Sequence, residues 1–175
     1  MHTGWASPEF IIKKSNGVNT KIQGYASVFN VLDKHNDTIV KGAFKSSYEN
    51  QVKLLWQHDS TKPIGIITSM HEDDHGLKIE AEINNNTQNG LDASQLIKQR
   101  AVSGLSIGFN IKSYDYDTHG HRVITDLELM EVSIVTFPAN DSAIISQIKS
   151  RYEKLNSSDI AIKNLEKLIN KLKNL

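Results

Sequence analysis

The 175-residue sequence contains no cysteine. Disulfides, thiolate–zinc sites and a thiol nucleophile are thereby excluded, and the composition suits a reducing compartment. Net charge is missing as well: lysine plus arginine equals aspartate plus glutamate at 20 each. No field able to draw DNA or an anionic membrane to the whole molecule is built in. Neutrality also does little to oppose self-association. No apolar run reaches membrane-spanning length, and "MHTGWASPEF" does not read as a signal peptide. These absences predict a soluble, intracellular protein with neither nucleic acid nor membrane as partner. There is no internal repeat, no Walker-type glycine loop and no dinucleotide fingerprint, and no cofactor is expected.

What is present is enough for one domain with a real core and an appended segment, since 38% of the residues are apolar. Alternation of apolar and polar residues predicts an antiparallel pair from "EFIIKK" (9–14) and "TKIQGYASVFN" (20–30). "VLDKHNDTIVKGAF" reads as a polar excursion, and "GAFKSSYENQ" as a short helix. "VKLLWQHD" (52–59) is a buried strand ending in a histidine. "PIGIITSMHED" and "GLKIEAEIN" form a hairpin, with Gly76 supplying the turn conformation. Leu91, Leu96 and Ile97 lie at helical spacing in "TQNGLDASQLIKQRA". "GLSIGFNIKSYDYD" and "HRVITDLELMEVSIVTF" form a long hairpin through "THG", and Pro138 ends the regular pairing.

The remainder is helical in period. "DSAIISQIKSRYEKL" opens on an N-cap at Asp141 or Ser142. After "NSSD", Leu165, Leu168, Leu172 and Leu175 share one stripe, too short to establish a coiled coil. Such a stripe packs on its own domain or holds a partner or another copy. The expectation is a mainly β body with flanking helices, a closed or nearly closed antiparallel β-barrel followed by a C-terminal helical tail. Its division is 1–155 for the body and 156–175 for the tail.

Three residues invite a chemical reading. His58 ends the "LLWQHD" strand, and imidazole titrates near neutral pH, as a general base should; a hydrogen-bonded surface histidine is the plainer alternative. Ser106 stands between Gly104 and Gly108 in "GLSIGF", where glycines let a substrate approach backbone N–H groups. It is not the G-x-S-x-G elbow. Glu131 lies in the apolar run "LELMEVSIVTF" and needs a partner if it points inward. Orienting a histidine would supply one, and so would an ion pair. Glu128, three residues earlier, has the opposite strand parity. "HEDDH" (71–75) reads as a solvated turn, because the helical spacing of a zinc motif is unavailable in a hairpin. "DYDTHGH" (115–121) lacks the spacing of a calcium loop and reads as another hairpin tip.

In order and spacing, "GYASVFN", "GAF", "LLWQHD", "PIG", "GLSIGF" and "EVSIVTFPAN" resemble the HK97-type prohead (capsid maturation) proteases of tailed bacteriophages, over about residues 8–150. That resemblance implies a serine endopeptidase related in fold to the herpesvirus assemblins, so the expected barrel is of herpesvirus-protease type. It implies Ser106 as nucleophile, His58 as general base and Glu131 as the residue orienting His58; neither Ser103 nor Ser133 matches the nucleophile position. Ile107 and Gly108 become candidates for the oxyanion hole, and Arg100 and Arg122 possible second donors. The implied substrates are the scaffold region of the major capsid protein and the enzyme itself, inside an assembling procapsid in the host cytoplasm. Premature cleavage must be avoided, so a latent site before assembly is a further expectation. The rival readings are a catalytically silent scaffold or assembly module of the same fold, and a metal-dependent hydrolase built on "HEDDH".

Overall fold

A computed structural model describes residues 19–48 and 51–150, which fold around one curled sheet. The strands are β1 (Thr20–Val28), β2 (Asp37–Ile39), β3 (Lys53–Trp56), β4 (Asp59–Glu72), β5 (Gly76–Ile83), β6 (Gly104–Tyr116), β7 (Arg122–Val135) and β8 (Ile145–Ser150). One α-helix, α1 (Gln88–Lys98), and a 3-10 turn at Lys45–Ser47 complete the described residues. Neighbouring strands follow the order β2-β7-β3-β4-β5-β1-β8, and β6 pairs with β7.

β7 organises this arrangement. Along one edge it runs antiparallel to β6, from Gly104↔Val135 to Tyr116↔Arg122. Its other edge takes two short strands in parallel: β2 against Arg122–Ile124 and β3 against Glu131–Ile134. The inner face is apolar, with Leu54, Ile79, Leu105, Leu127, Val132 and Ile134 fully buried. Each side chain of this kind contributes about 1.5–3 kcal/mol by leaving water. α1 closes one side of the core. Thr87 caps it by accepting a hydrogen bond from Gly90 N, and Gly90, Ala93 and Ile97 form its buried stripe.

Several expectations are corrected. The sheet is a half-barrel rather than a closed or nearly closed barrel, and two of its pairings are parallel. Among the described residues its ends touch only at the Gly104↔Ile144 bridge, because the chain leaves β6 there and β8 pairs with β1. Residues 145–150 form a strand, although their apolar spacing suits a helix. Pairing with β1 buries Ile145 and Ile148, and this tertiary gain overrides local propensity. Asp141 does not cap a helix but binds Lys34 Nζ at 2.6 Å. The polar excursion contains β2, fixed by a bidentate Arg122–Asp37 pair at 2.7 Å on both oxygens. Leu91 points outward at 39% exposure, because the close approach of α1 at Gly90 rotates the helix towards its small residues. The "EFIIKK" strand and the helical tail lie outside the described residues.

The β4–β5 turn shows how "HEDDH" is used. Gly76 does not supply the turn; it opens β5, where a Cβ would run into the backbone oxygen of Ser27. Asp73 does the turning, accepting from His75 N (2.7 Å) and Gly76 N (3.0 Å) on Oδ1 and from the Tyr25 hydroxyl (2.6 Å) on Oδ2. Burial pushes the Asp73 carboxyl up, but these three donors outweigh it and hold the group down at about 2. The bond to Asp73 pushes Tyr25 up to about 12.

A carboxyl depressed in the folded state contributes stability above its unfolded value near 3.8, and loses it as pH falls towards about 2. Asp59 is held at about 2 too, chiefly by its bond from Thr61, so the wild type alone does not isolate Asp73. Asp73→Asn should cost about 1 kcal/mol at neutral pH. Its urea midpoint should then fall less steeply than that of the wild type between pH 4 and 2. Parallel slopes would contradict this account.

Candidate functional site

The register of three strands brings the sequence-predicted residues onto one face. Ser106 pairs with Ser133, and Gly108 with Glu131, so these four residues share the face opposite the core. Lys53 of β3 pairs with Glu131, and Ile66 of β4 with Lys53, extending the row across four strands. Beyond it on this face, Tyr48, Lys53, Pro63, Ile66, Thr68 and Met70 line an open groove of about 520 Å³.

His58 is not the last residue of its strand but the second of a two-residue turn, since Trp56 pairs with Asp59. Gln57 and His58 both take left-handed backbone, with φ of 56° and 59°. Two positive φ angles match the twist of a tight hairpin, but Asn-Gly is the usual sequence there. The end of β7 and the residue after it hold the unusual pair. Gln57 N donates to Ile134 O (3.0 Å), and the Gln57 amide bonds Thr136 Oγ1 (2.9 Å) and Thr136 N (3.2 Å).

This turn delivers the ring to Glu131, with His58 Nδ1 2.5 Å from Oε1. Ser133 Oγ donates to the other oxygen, Oε2, at 2.7 Å and accepts from His58 N at 3.0 Å. Gly108 leaves room for the carboxylate: a Cβ there would lie 2.5 Å from Oε1. The side chains are 44% exposed for His58 and 13% for Glu131, while Ser106 is 5% exposed. Among the described residues Ser106 Oγ makes no hydrogen bond to His58, whose ring is held by Glu131.

The oxyanion candidates separate by strand alternation. Leu105 N donates away from β7, to Ala143 O, so Ile107 N–H also faces away from β7, along a β6 edge that no strand covers among the described residues. Gly108 N–H faces β7, and the space above Gly108 holds Glu131. Arg122 is committed to Asp37 and pairs with Tyr116, ten residues along β6 from Ser106; it cannot donate at the site. Arg100 lies in the left-handed turn after α1 (φ 61°). Ser103 gives its carbonyl to Ile145 N.

Glu128 is a correction. The register passes from Gly108↔Glu131 to Phe109↔Leu129, so Met130 is the extra residue of a bulge. Glu128 and Glu131 therefore share a face, contrary to simple parity. At the far end of the hairpin, Asp117, His119 and His121 bring three metal-type ligand atoms within 4.8 Å. Asp117 Oδ1 already accepts from His119 N and His121 N, which makes this a built turn. Two contributors to this arrangement are not legible as such in the sequence: Ser133 and Gln57. The signal for Ser133 was its i+2 spacing from Glu131, which puts both on one face of a strand.

An imidazole held by a carboxylate, on the sheet face that also carries a serine between glycines, is an arrangement compatible with serine-hydrolase chemistry. Residues 9–158 match the caudovirus prohead serine proteases, and the chain belongs to that family, the one its motifs resemble. It is 34% identical over 134 residues to the prohead protease of Enterobacteria phage HK97, covering 73% of this chain and 60% of that one. Against the prohead protease of Escherichia phage T5 the figures are 33% over 136 residues, 74% and 63%. A capsid polyprotein of Pseudomonas phage PAJU2 is 31% identical over 159 residues, 86% of this chain and 23% of that protein. The chain thus spans about three fifths of the length of the HK97 and T5 relatives.

The fold is similar to that of KSHV protease in complex with a hexapeptide phosphonate inhibitor, with a TM-score of 0.55, 11% identity, and coverage of 90% of this chain and 77% of that one. Varicella-zoster virus protease gives 0.53 at 8% identity, with coverage of 76% and 65%. The bacteriophage T4 capsid assembly protease gives 0.51 at 12%, with coverage of 66% and 81%. At such identities the likeness is one of fold.

Gly108→Ala tests the packing of the site directly. The added methyl should displace the Glu131 carboxylate and abolish the far-downfield proton resonance expected of the His58–Glu131 hydrogen bond. Far-ultraviolet circular dichroism should stay as in the wild type. A retained resonance in the folded variant would mean that Gly108 does not make room for the carboxylate.

Proposed function

We propose that this chain is a serine endopeptidase that cleaves the scaffold region of a phage major capsid protein, and its own chain, during procapsid maturation. Ser106 is the nucleophile, His58 the general base and Glu131 the residue that orients His58 and balances its charge. The observation that carries this reading is the 2.5 Å His58–Glu131 contact on the face that also presents Ser106. His58 Nε2 takes the proton as Ser106 Oγ attacks the scissile carbonyl. The protonated ring then returns it to the leaving amine, and water hydrolyses the acyl-enzyme. Ile107 N–H supplies an oxyanion contact from the outward edge of β6.

A polypeptide substrate is supported by the surroundings: a β6 edge uncovered among the described residues suits strand addition, and the groove over β3 and β4 offers apolar floor on the same face. The capsid polyprotein relative supports a capsid partner. Residues 1–155 are the protease domain in this reading. Residues 156–175, with their leucine stripe, hold scaffold or another copy of the chain.

The decisive experiment is co-expression with the cognate capsid protein. Wild type should cut it and Ser106→Ala should leave it intact, with activity down by a factor of roughly 10³ or more. Cleavage by the variant would refute the nucleophile, and an uncut capsid protein with wild type would refute the function. Deleting residues 156–175 should reduce incorporation into procapsids while sparing cleavage of a free peptide; unchanged incorporation would remove the tail from this reading.

A further inference from the structure

Resting on that reading, we propose that Ser133 is the positioning residue that fixes which ring nitrogen of His58 is the base. The argument follows from counting protons. The backbone N–H of His58 can only donate, so Ser133 Oγ is its acceptor at 3.0 Å. A hydroxyl carries one proton. That proton is directed to Glu131 Oε2 at 2.7 Å, which makes Oε2 an acceptor. The remaining oxygen, Oε1, lies 2.5 Å from His58 Nδ1. The carboxylate is acceptor-only, and with Oε2 held by Ser133 it presents Oε1 to the ring, so Nδ1 carries the ring proton and Nε2 is left with its lone pair.

The loop closes on itself. It begins at the backbone of His58 and returns to the ring of the same residue through Ser133 and Glu131, without water, because Ser133 is fully buried. Turn conformation and ring tautomer are thereby linked: the left-handed backbone that aims His58 N at Ser133 also aims Nδ1 at Glu131. Ser133 touches neither substrate nor the reacting atoms in this scheme and acts through Glu131.

The test reads the tautomer of His58 by nitrogen-15 NMR, at a pH where the ring is neutral. Wild type should be protonated at Nδ1. Ser133→Ala, confirmed folded by circular dichroism, should give a mixture of tautomers, and Ser133→Thr should restore the Nδ1 form. Glu131→Gln gives a sharper arm that does not depend on an alanine variant folding. The Ser133 proton should select the oxygen of the introduced amide and turn its NH₂ towards Nδ1, switching the ring to the Nε2-protonated form. Adding Ser133→Ala to that variant should erase the preference. An unaltered Nδ1 tautomer in Ser133→Ala, or in Glu131→Gln, would overturn the proposal.

Activity separates this inference from the reading beneath it. Ser133→Ala should lower kcat roughly 10- to 100-fold with KM little changed, as expected when a base is less often in the right form. If the tautomers behave as described while wild type cleaves no capsid protein, the positioning role stands and the protease assignment falls. If wild type cleaves but the tautomers ignore Ser133, the protease assignment stands and the positioning role falls.

Discussion

The parallel pairing of β3 with β7 is the constraint on which the site depends. Parallel neighbours cannot be joined by a short turn, and here β4, β5, α1 and β6 all intervene between them in the chain. Their register sets Lys53 opposite Glu131 and Leu55 opposite Ser133. Because both strands run the same way, the end of β3 emerges beside the end of β7, and the next two residues are Gln57 and His58. The antiparallel β6 then brings Ser106 alongside from the opposite edge. One central strand thus collects three residues from distant parts of the chain.

The turn that carries His58 is costly in itself. Left-handed backbone costs about 1–2 kcal/mol for each residue with a Cβ, and Gln57 and His58 both adopt it. Against this stand four hydrogen bonds to β7 and the residue that follows it: two from the Gln57 side chain, one from its backbone and one from His58 N to Ser133. At about 1 kcal/mol net for each bond, cost and gain are of similar size. The turn therefore holds its shape because β7 is there, and glycine at either position would lose a side chain with a structural task. Strain kept by over-determined surroundings at a candidate site residue is the pattern such sites often show.

Much of this was legible in the sequence. The long β6–β7 hairpin, the β4–β5 hairpin and α1 announce themselves through alternation, helical spacing and turn residues. The three chemical residues stood out as a histidine after an apolar run, a serine between glycines and a carboxylate among apolar neighbours. What stayed hidden was long-range choice. Nothing local tells residues 145–150 to pair with β1 instead of coiling, or tells β8 to leave β6 after one bridge and keep the barrel open. Ser133 was hidden for another reason: its importance lies in a bond to a backbone amide 75 positions away in the chain.

The bulge at Met130 shows how little separates a structural charge from a useful one. Leu127 and Leu129 face the core at 0% and 1% exposure, and strict alternation would turn residue 131 inward with them. A carboxylate in that apolar layer would meet no adequate partner and would carry a heavy desolvation cost. One extra residue resets the alternation: Met130 bulges out, Val132 and Ile134 take the inward places, and Glu131 emerges on the outer face opposite Gly108. There it finds an imidazole, a hydroxyl and the gap left by a missing side chain. The apolar run around Glu131 and the exposed chemistry at Glu131 are thus reconciled by a single irregularity in the ladder.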